Sequence, residues 1–324
     1  MVPDVRALVW NDDERRPRAL VRLIVAAVLV VLVSVGTPLL IGPALRSVAS
    51  PLVRLGASLA LQALPGVVVL VVAAVVDRRQ PGDLGLHVDR GWWLDAGFGV
   101  VLGATLMTGI FLLALAAGWI RIVGWFVVES VPLGFGGAFL AVTAFFVIAG
   151  TTEELLARGY LLTNVAEGLL GTLGRRRAVA VAVVVSSLLF GAAHVTNPNA
   201  TLVSTLSVSL AGVLLATGYV LTDDLAIPIG LHVAWNLFQG PIYGFRVSGI
   251  ALGVRVVDTV ETGPDVATGG QFGPEAGLLG VAAVLTGIAA TVGYVRWRYD
   301  AVRVAPGLTV PSLRVRRGDR DGGG

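Results

Sequence analysis

FGGAFLAVTAFFVIAGTTEELL, from Phe135 to Leu156, is an apolar run of membrane-spanning length that ends in two adjacent carboxylates. A helix that crosses the hydrocarbon core needs about 20 largely apolar residues, and this stretch supplies them. Windows of similar character run approximately from Leu23 to Ile41, Leu55 to Val76, Ala96 to Ile120, Ala178 to Thr196, Leu202 to Leu221, Ala226 to Tyr243 and Ala276 to Tyr294. Composition agrees: of 324 residues, 55% are hydrophobic and 14% charged, where soluble chains carry about 25% charged residues. The fold class expected is an all-α polytopic membrane helix bundle of about eight transmembrane helices. Its membrane domain would span 23–296, with a core at about 135–243. A cytoplasmic N-terminal segment, 1–22, precedes it, and a cytoplasmic tail, 297–324, rich in Gly, Arg and Pro towards its end, is expected to be disordered.

All 24 basic residues are Arg, and there is no Cys. Disulfides, thiolate catalysis and Cys-bound metals are therefore excluded. Short cytoplasmic segments carry an excess of basic residues. Arg6, Arg15, Arg16, Arg18 and Arg22 precede the first span, Arg78, Arg79 and Arg90 follow the second, and Arg175, Arg176 and Arg177 follow the fourth. The localisation expected is the cell membrane, multi-pass, with both termini cytoplasmic. Val48-Ala49-Ser50 resembles a signal-peptidase site. The first apolar run is longer than the roughly 7–15 residues of a signal h-region, so an uncleaved anchor is expected. Asp77 to Trp93 reads as an interfacial stretch, and Val247 to Gly273 as a polar excursion on the outer side. Gly99-x-x-x-Gly103 signals close helix packing.

A charge in the hydrocarbon core costs about 2.5–3.5 kcal/mol even on lenient scales, so ionisable residues inside the spans are candidates for function. They are few: Glu153, Glu154, Arg158, His194 and His232. His87, in the loop after the second span, reads as a solvated surface residue. Each helical residue advances 100°, so Glu154 and Arg158 share a face and can pair, while Glu153 points elsewhere. A carboxylate without a close cation suits general acid or base work. Counting from Gly174, Glu153 lies 21 positions back and His194 20 forward, so an antiparallel hairpin brings them to one height. For His232 to join them, the fourth and fifth helices must project beyond the membrane, and the shared cavity, with Glu153 nearest the two histidines, is expected to open towards Arg175–Arg177. Asn236 shares a helix face with His232, and Phe190 with His194.

Three patterns thus stand in order: Glu153-Glu154-x-x-x-Arg158, Phe190-x-x-x-His194 and His232-x-x-x-Asn236. Together with the contexts EELLARGYLL, LLFGAAH and IPIGLHVAWN, they resemble the signature of the CPBP family (CAAX protease and bacteriocin-processing, also called ABI), which includes the type II CAAX prenyl proteases. The resemblance covers about Phe135 to Tyr243. It implies an intramembrane endopeptidase in which Glu153 activates water, His194, His232 and Asn236 complete the catalytic site, and Glu154, Arg158 and Phe190 support it. Ala157 stands where the family often has an aromatic residue.

The cofactor expectation is a divalent metal such as Zn, with His194 and His232 as its ligands, since two histidines and a carboxylate form a catalytic zinc set. Against it, HExxH is absent and the ligands would come from three separate helices. The expected partners are a membrane-associated protein or peptide substrate and the lipid bilayer, with no nucleic acid. Two other readings compete: a non-catalytic immunity or binding member of the same family, and a proton-coupled transporter, which would string its polar residues across the bilayer.

Overall fold

The computed structural model describes residues 5–129 and 133–313; the stretch 314–324 of the expected tail and residues 1–4 of the N-terminal segment lie outside it. Among the described residues, eight main helices carry the chain: α1 (Ala19–Ser47), α2 (Pro51–Val75), α3 (Arg90–Ala116), α4 (Gly134–Leu173), α5 (Arg175–Ala192), α6 (Leu202–Thr222), α7 (Ala226–Leu237) and α8 (Leu278–Tyr299). Six of them, all but α5 and α7, are long and apolar enough to cross a membrane. α5 opens with Arg175, Arg176 and Arg177, and α7 has only 12 residues before a wide π turn at Phe238–Ile242 that contains Pro241. The chain is a multi-pass membrane helix bundle; among the described residues six helices meet the length and composition of a span, and the expected count of eight is not confirmed.

Local chemistry sets several boundaries. Asp89 caps α3 by accepting from the Trp92 N–H at 2.8 Å, and Thr201 with Ser204 forms a capping box at the start of α6. Gly174, at φ 68°, turns α4 back into α5. α3 and α7 touch backbone to backbone: a Cβ on Gly99 would lie 2.4 Å from the Ile227 carbonyl, and one on Gly230 would lie 2.2 Å from that of Ala96. This close crossing is the packing that the Gly99-x-x-x-Gly103 pattern implies.

The segment after α3 is not a helical extension. Ile120–Val128 forms β1, paired antiparallel with β2 (Val254–Glu261), with Ile120 opposite Glu261 and an irregularity between Ile122 and Gly124. Its β-branched and aromatic side chains suit a strand, and the polar excursion from Val247 holds the partner strand.

The opposite end of the bundle is tied shut. Glu167 accepts from Arg16 and Arg22, each at 2.7 Å, and from Arg79. Asp77 lies 3.8 Å from Arg22 and 3.6 Å from Arg79. Arg16, Asp77 and Arg79 are buried, so the start of the 77–93 stretch read as interfacial packs against the rest of the protein. Desolvation of Asp77 outweighs its arginine neighbours and raises its carboxyl above the usual range. The tail expected to be disordered from residue 297 is ordered through 313: α8 runs to Tyr299, the Ala305 N–H donates to the Val220 carbonyl at 2.9 Å, Arg175 donates to the Val304 carbonyl at 3.0 Å, and Leu308 is 1% exposed. Backbone pairing and one buried leucine hold it where composition alone suggested a free coil.

Candidate active site

Glu153 and Glu154 close the regular part of α4; Leu155–Leu162, which follows, is wound as a π stretch. Such widened turns recur at functional sites, and the ideal 100° spacing does not reveal them. The two carboxylates part company here. Glu154 is fully buried, and its Oε1 accepts from Arg158 Nη1 at 2.9 Å. Glu153 keeps a side chain 34% exposed and faces a cavity. Arg158 is itself buried, donates to the Gly212 carbonyl at 3.0 Å, and sets its guanidinium carbon 4.4 Å from the centre of the Phe190 ring.

His232, on α7, sits between the two glutamates. Its Nδ1 is 2.8 Å from Glu154 Oε1, and its Nε2 is 3.8 Å from Glu153 Oε2. Glu154 is therefore the closer carboxylate to His232, whereas the sequence reading placed Glu153 nearest the histidines. This link crosses 78 positions of sequence, and no local spacing signals it. A carboxylate that grips one ring nitrogen fixes which nitrogen faces the site.

His194 stands two residues beyond the end of α5, in the turn that follows. Its Nδ1 lies 2.8 Å from the Phe190 carbonyl. A carbonyl can only accept, so Nδ1 carries the proton and Nε2 of the neutral ring presents a lone pair. Phe190 joins the two histidines: its ring centre lies 5.0 Å from that of His194 and 5.8 Å from that of His232. Asn236, one turn after His232, lines the same cavity with Glu153, His194 and His232. The cavity is about 710 Å³ in volume. The four residues are gathered at one place, not spread along a path.

Its walls extend beyond the motif helices. Leu23 and Val30 of α1, Gln62 and Val69 of α2, and Phe146 of α4 form a largely apolar flank, while Asn197, Ser248 and Glu275 form a polar one. Sequence reasoning did not find the polar flank, because Ser248 and Glu275 lie in a loop and its continuation. The expected opening towards Arg175–Arg177 is not the one the cavity makes. None of these arginines lines it, because the Glu167 cluster and the 300–313 segment occupy that end.

Among the described residues, no group of three or more His, Asp or Glu side chains is arranged to hold a metal ion. His194 Nδ1 and His232 Nδ1 are held by the Phe190 carbonyl and by Glu154, the kind of contact that fixes how a ring presents its other nitrogen.

No curated protein and no solved structure matches the chain. Residues 135–238 match the family model described as type II CAAX prenyl endopeptidase, Rce1-like. That segment runs from the start of α4 to just past Asn236 and contains every residue of the three motifs. Over residues 135–238, this membrane protein is thus similar to the type II CAAX prenyl endopeptidases, a match that supports its assignment to the CPBP (CAAX protease) family.

Proposed function

We propose that the protein is an intramembrane endopeptidase that hydrolyses a peptide bond of a membrane-associated protein or peptide, with Glu153 as general base. The observation that carries the reading is the division of labour between adjacent carboxylates: Glu154 is buried against Arg158 and His232, and Glu153 is left facing the cavity beside His232. In this reading a water held between Glu153 and the His194 Nε2 lone pair gives a proton to Glu153 while its oxygen attacks the carbonyl carbon. The oxyanion forms beside Asn236, whose amide donates, and beside His232, which donates from Nε2 when protonated while Nδ1–H stays with Glu154. Glu153 then passes its proton to the departing nitrogen, the C–N bond breaks, and a carboxylic acid and an amine leave. The enclosed, mostly apolar flank suits a substrate drawn from lipid and strengthens these polar contacts.

We further infer a cell-membrane location with both termini on the cytoplasmic face, from the arginine distribution. The test of activity compares membranes carrying wild type and Glu153→Gln by proteomics, then purified proteins on the substrate found. A bond cut only by wild type supports the reading, and turnover by purified Glu153→Gln would show the general-base assignment to be wrong. Exhaustive chelation and dialysis test the metal expectation: turnover that persists assigns the chemistry to protein groups alone. Loss of activity restored by zinc would count against that.

A further inference from the structure

The cavity has a polar corner that hydrolysis does not use. It lies where the loop after α7 meets the residues leading into α8, outside the matched segment. Ser248 and Glu275 both line the cavity there, with Asn197 beside them. Glu275 Oε1 accepts from the Ser248 N–H at 2.5 Å and from its hydroxyl at 3.0 Å. Gln239 Nε2 donates to Glu275 Oε2 and, at 2.6 Å, to the Arg246 carbonyl. Asn197, three positions after His194, donates to the Ser248 carbonyl at 3.1 Å. The corner is thereby joined to the turn that carries His194.

Donors and acceptors do not balance here. An ionised carboxylate offers about four lone-pair sites, and the donors that reach Glu275 (the Ser248 N–H and hydroxyl, the Gln239 amide and its own N–H) are all uncharged. Gln239 is fully buried, yet its Oε1 has no partner. The guanidinium of Arg246 in the same loop turns to the Gly249 carbonyl, at 3.3 Å. Burial pushes the Glu275 carboxyl up to about 7. The wider cavity is also without a fixed cation: its ionisable lining is Glu153, Tyr160, His194, His232 and Glu275.

Resting on the endopeptidase reading, we propose that Ser248 and Glu275 form a specificity subsite that accepts an ammonium or guanidinium side chain on the polar flank of the substrate. A lysine or arginine side chain brings several N–H donors and no acceptor, which is what the corner lacks. An acidic side chain would place a second carboxylate against Glu275. The apolar flank, from Leu23, Val30 and Phe146, would hold the other part of the same substrate.

The test uses full-length protein in detergent micelles and two fluorescent peptides. They share an apolar segment and differ only in Lys or Glu at one position of the polar flank. Binding is read by anisotropy on Glu153→Gln, and cleavage on wild type. The Lys peptide should bind about tenfold more tightly, the size of one charge-assisted hydrogen bond, and the ratio should fall to near one in the Glu153→Gln, Glu275→Gln double variant. Should the double variant fail to fold, a lysine scan along the flank reads the same subsite on Glu153→Gln alone, with one position gaining about tenfold. Equal binding of the two peptides, binding of neither, a ratio untouched by Glu275→Gln, or a flat scan overturns the subsite. Cleavage by Glu153→Gln overturns the endopeptidase reading instead, and the binding ratio is still measured.

Discussion

Glu153 and Glu154 are neighbours in the chain and opposites in environment, so substitution should separate them. Glu153→Gln should leave the amount and thermal stability of folded protein unchanged, because its side chain carries no buried ion pair. Arg158→Leu should behave differently. It leaves Glu154 buried with only His232 to answer it, and stranding one member of a buried pair typically costs about 3–5 kcal/mol. The expected result is a sharp fall in monodisperse protein and in melting temperature; a variant as stable as wild type would show that the pair is not structural. The pairing of Glu154 with Arg158 and the separate aim of Glu153 were legible in the sequence, because helical periodicity acts over four residues. The bond from Glu154 to His232 was not, since contacts between distant helices leave no trace in spacing.

At the scale of elements, close backbone approach and turn chemistry make the strongest demands. A Cβ on Gly230 would lie 2.2 Å from the Ala96 carbonyl, whereas one on Gly97 would meet nothing within 4 Å. Gly230→Ala should therefore lose about 1–3 kcal/mol through overpacking, read as a lowered melting temperature, while Gly97→Ala, on the open side of α3, should not. The turn between α6 and α7 offers a pH test. Asp223 adopts a left-handed backbone, φ 63°, and burial raises its carboxyl to about 6 from an ordinary 3.8. A raised folded-state value means that its contribution is fully present below about 4 and is lost as pH rises through about 6. Asp223→Asn, which tolerates this conformation, should match wild type near pH 4 and melt higher at pH 8. A gain confined to pH 4 would reverse the assignment. Helices of membrane length were readable from hydropathy. The π stretches and β1 were not: a widened turn has no hydrophobic period of its own, and IRIVGWFVV is as apolar as the helix before it.

Across the whole molecule, α4 spans 40 residues, about 60 Å at 1.5 Å per residue, twice a hydrocarbon core of about 30 Å. It must project from the bilayer, as the sequence argument required, and its two ends define the two sides. Labelling should show Arg176→Cys modified only from the cytoplasm and Val266→Cys, 72% exposed, only from outside; the reverse would invert the proposed orientation. Convergence of the three motifs was legible because a hairpin counted from Gly174 fixes relative height. The direction of the cavity was not, because Arg16, Arg22 and Arg79 look like free flanking charges until Glu167 gathers them. The segment 300–313 bears on that closure in time as well as space. A ribosome emits it after the eight main helices described above, so the nascent protein can hold all its reactive side chains before this fastening arrives. Shutting that end is then a late step of biogenesis, and a chain arrested near residue 300 would sit in the membrane assembled around its reactive groups but still unlatched.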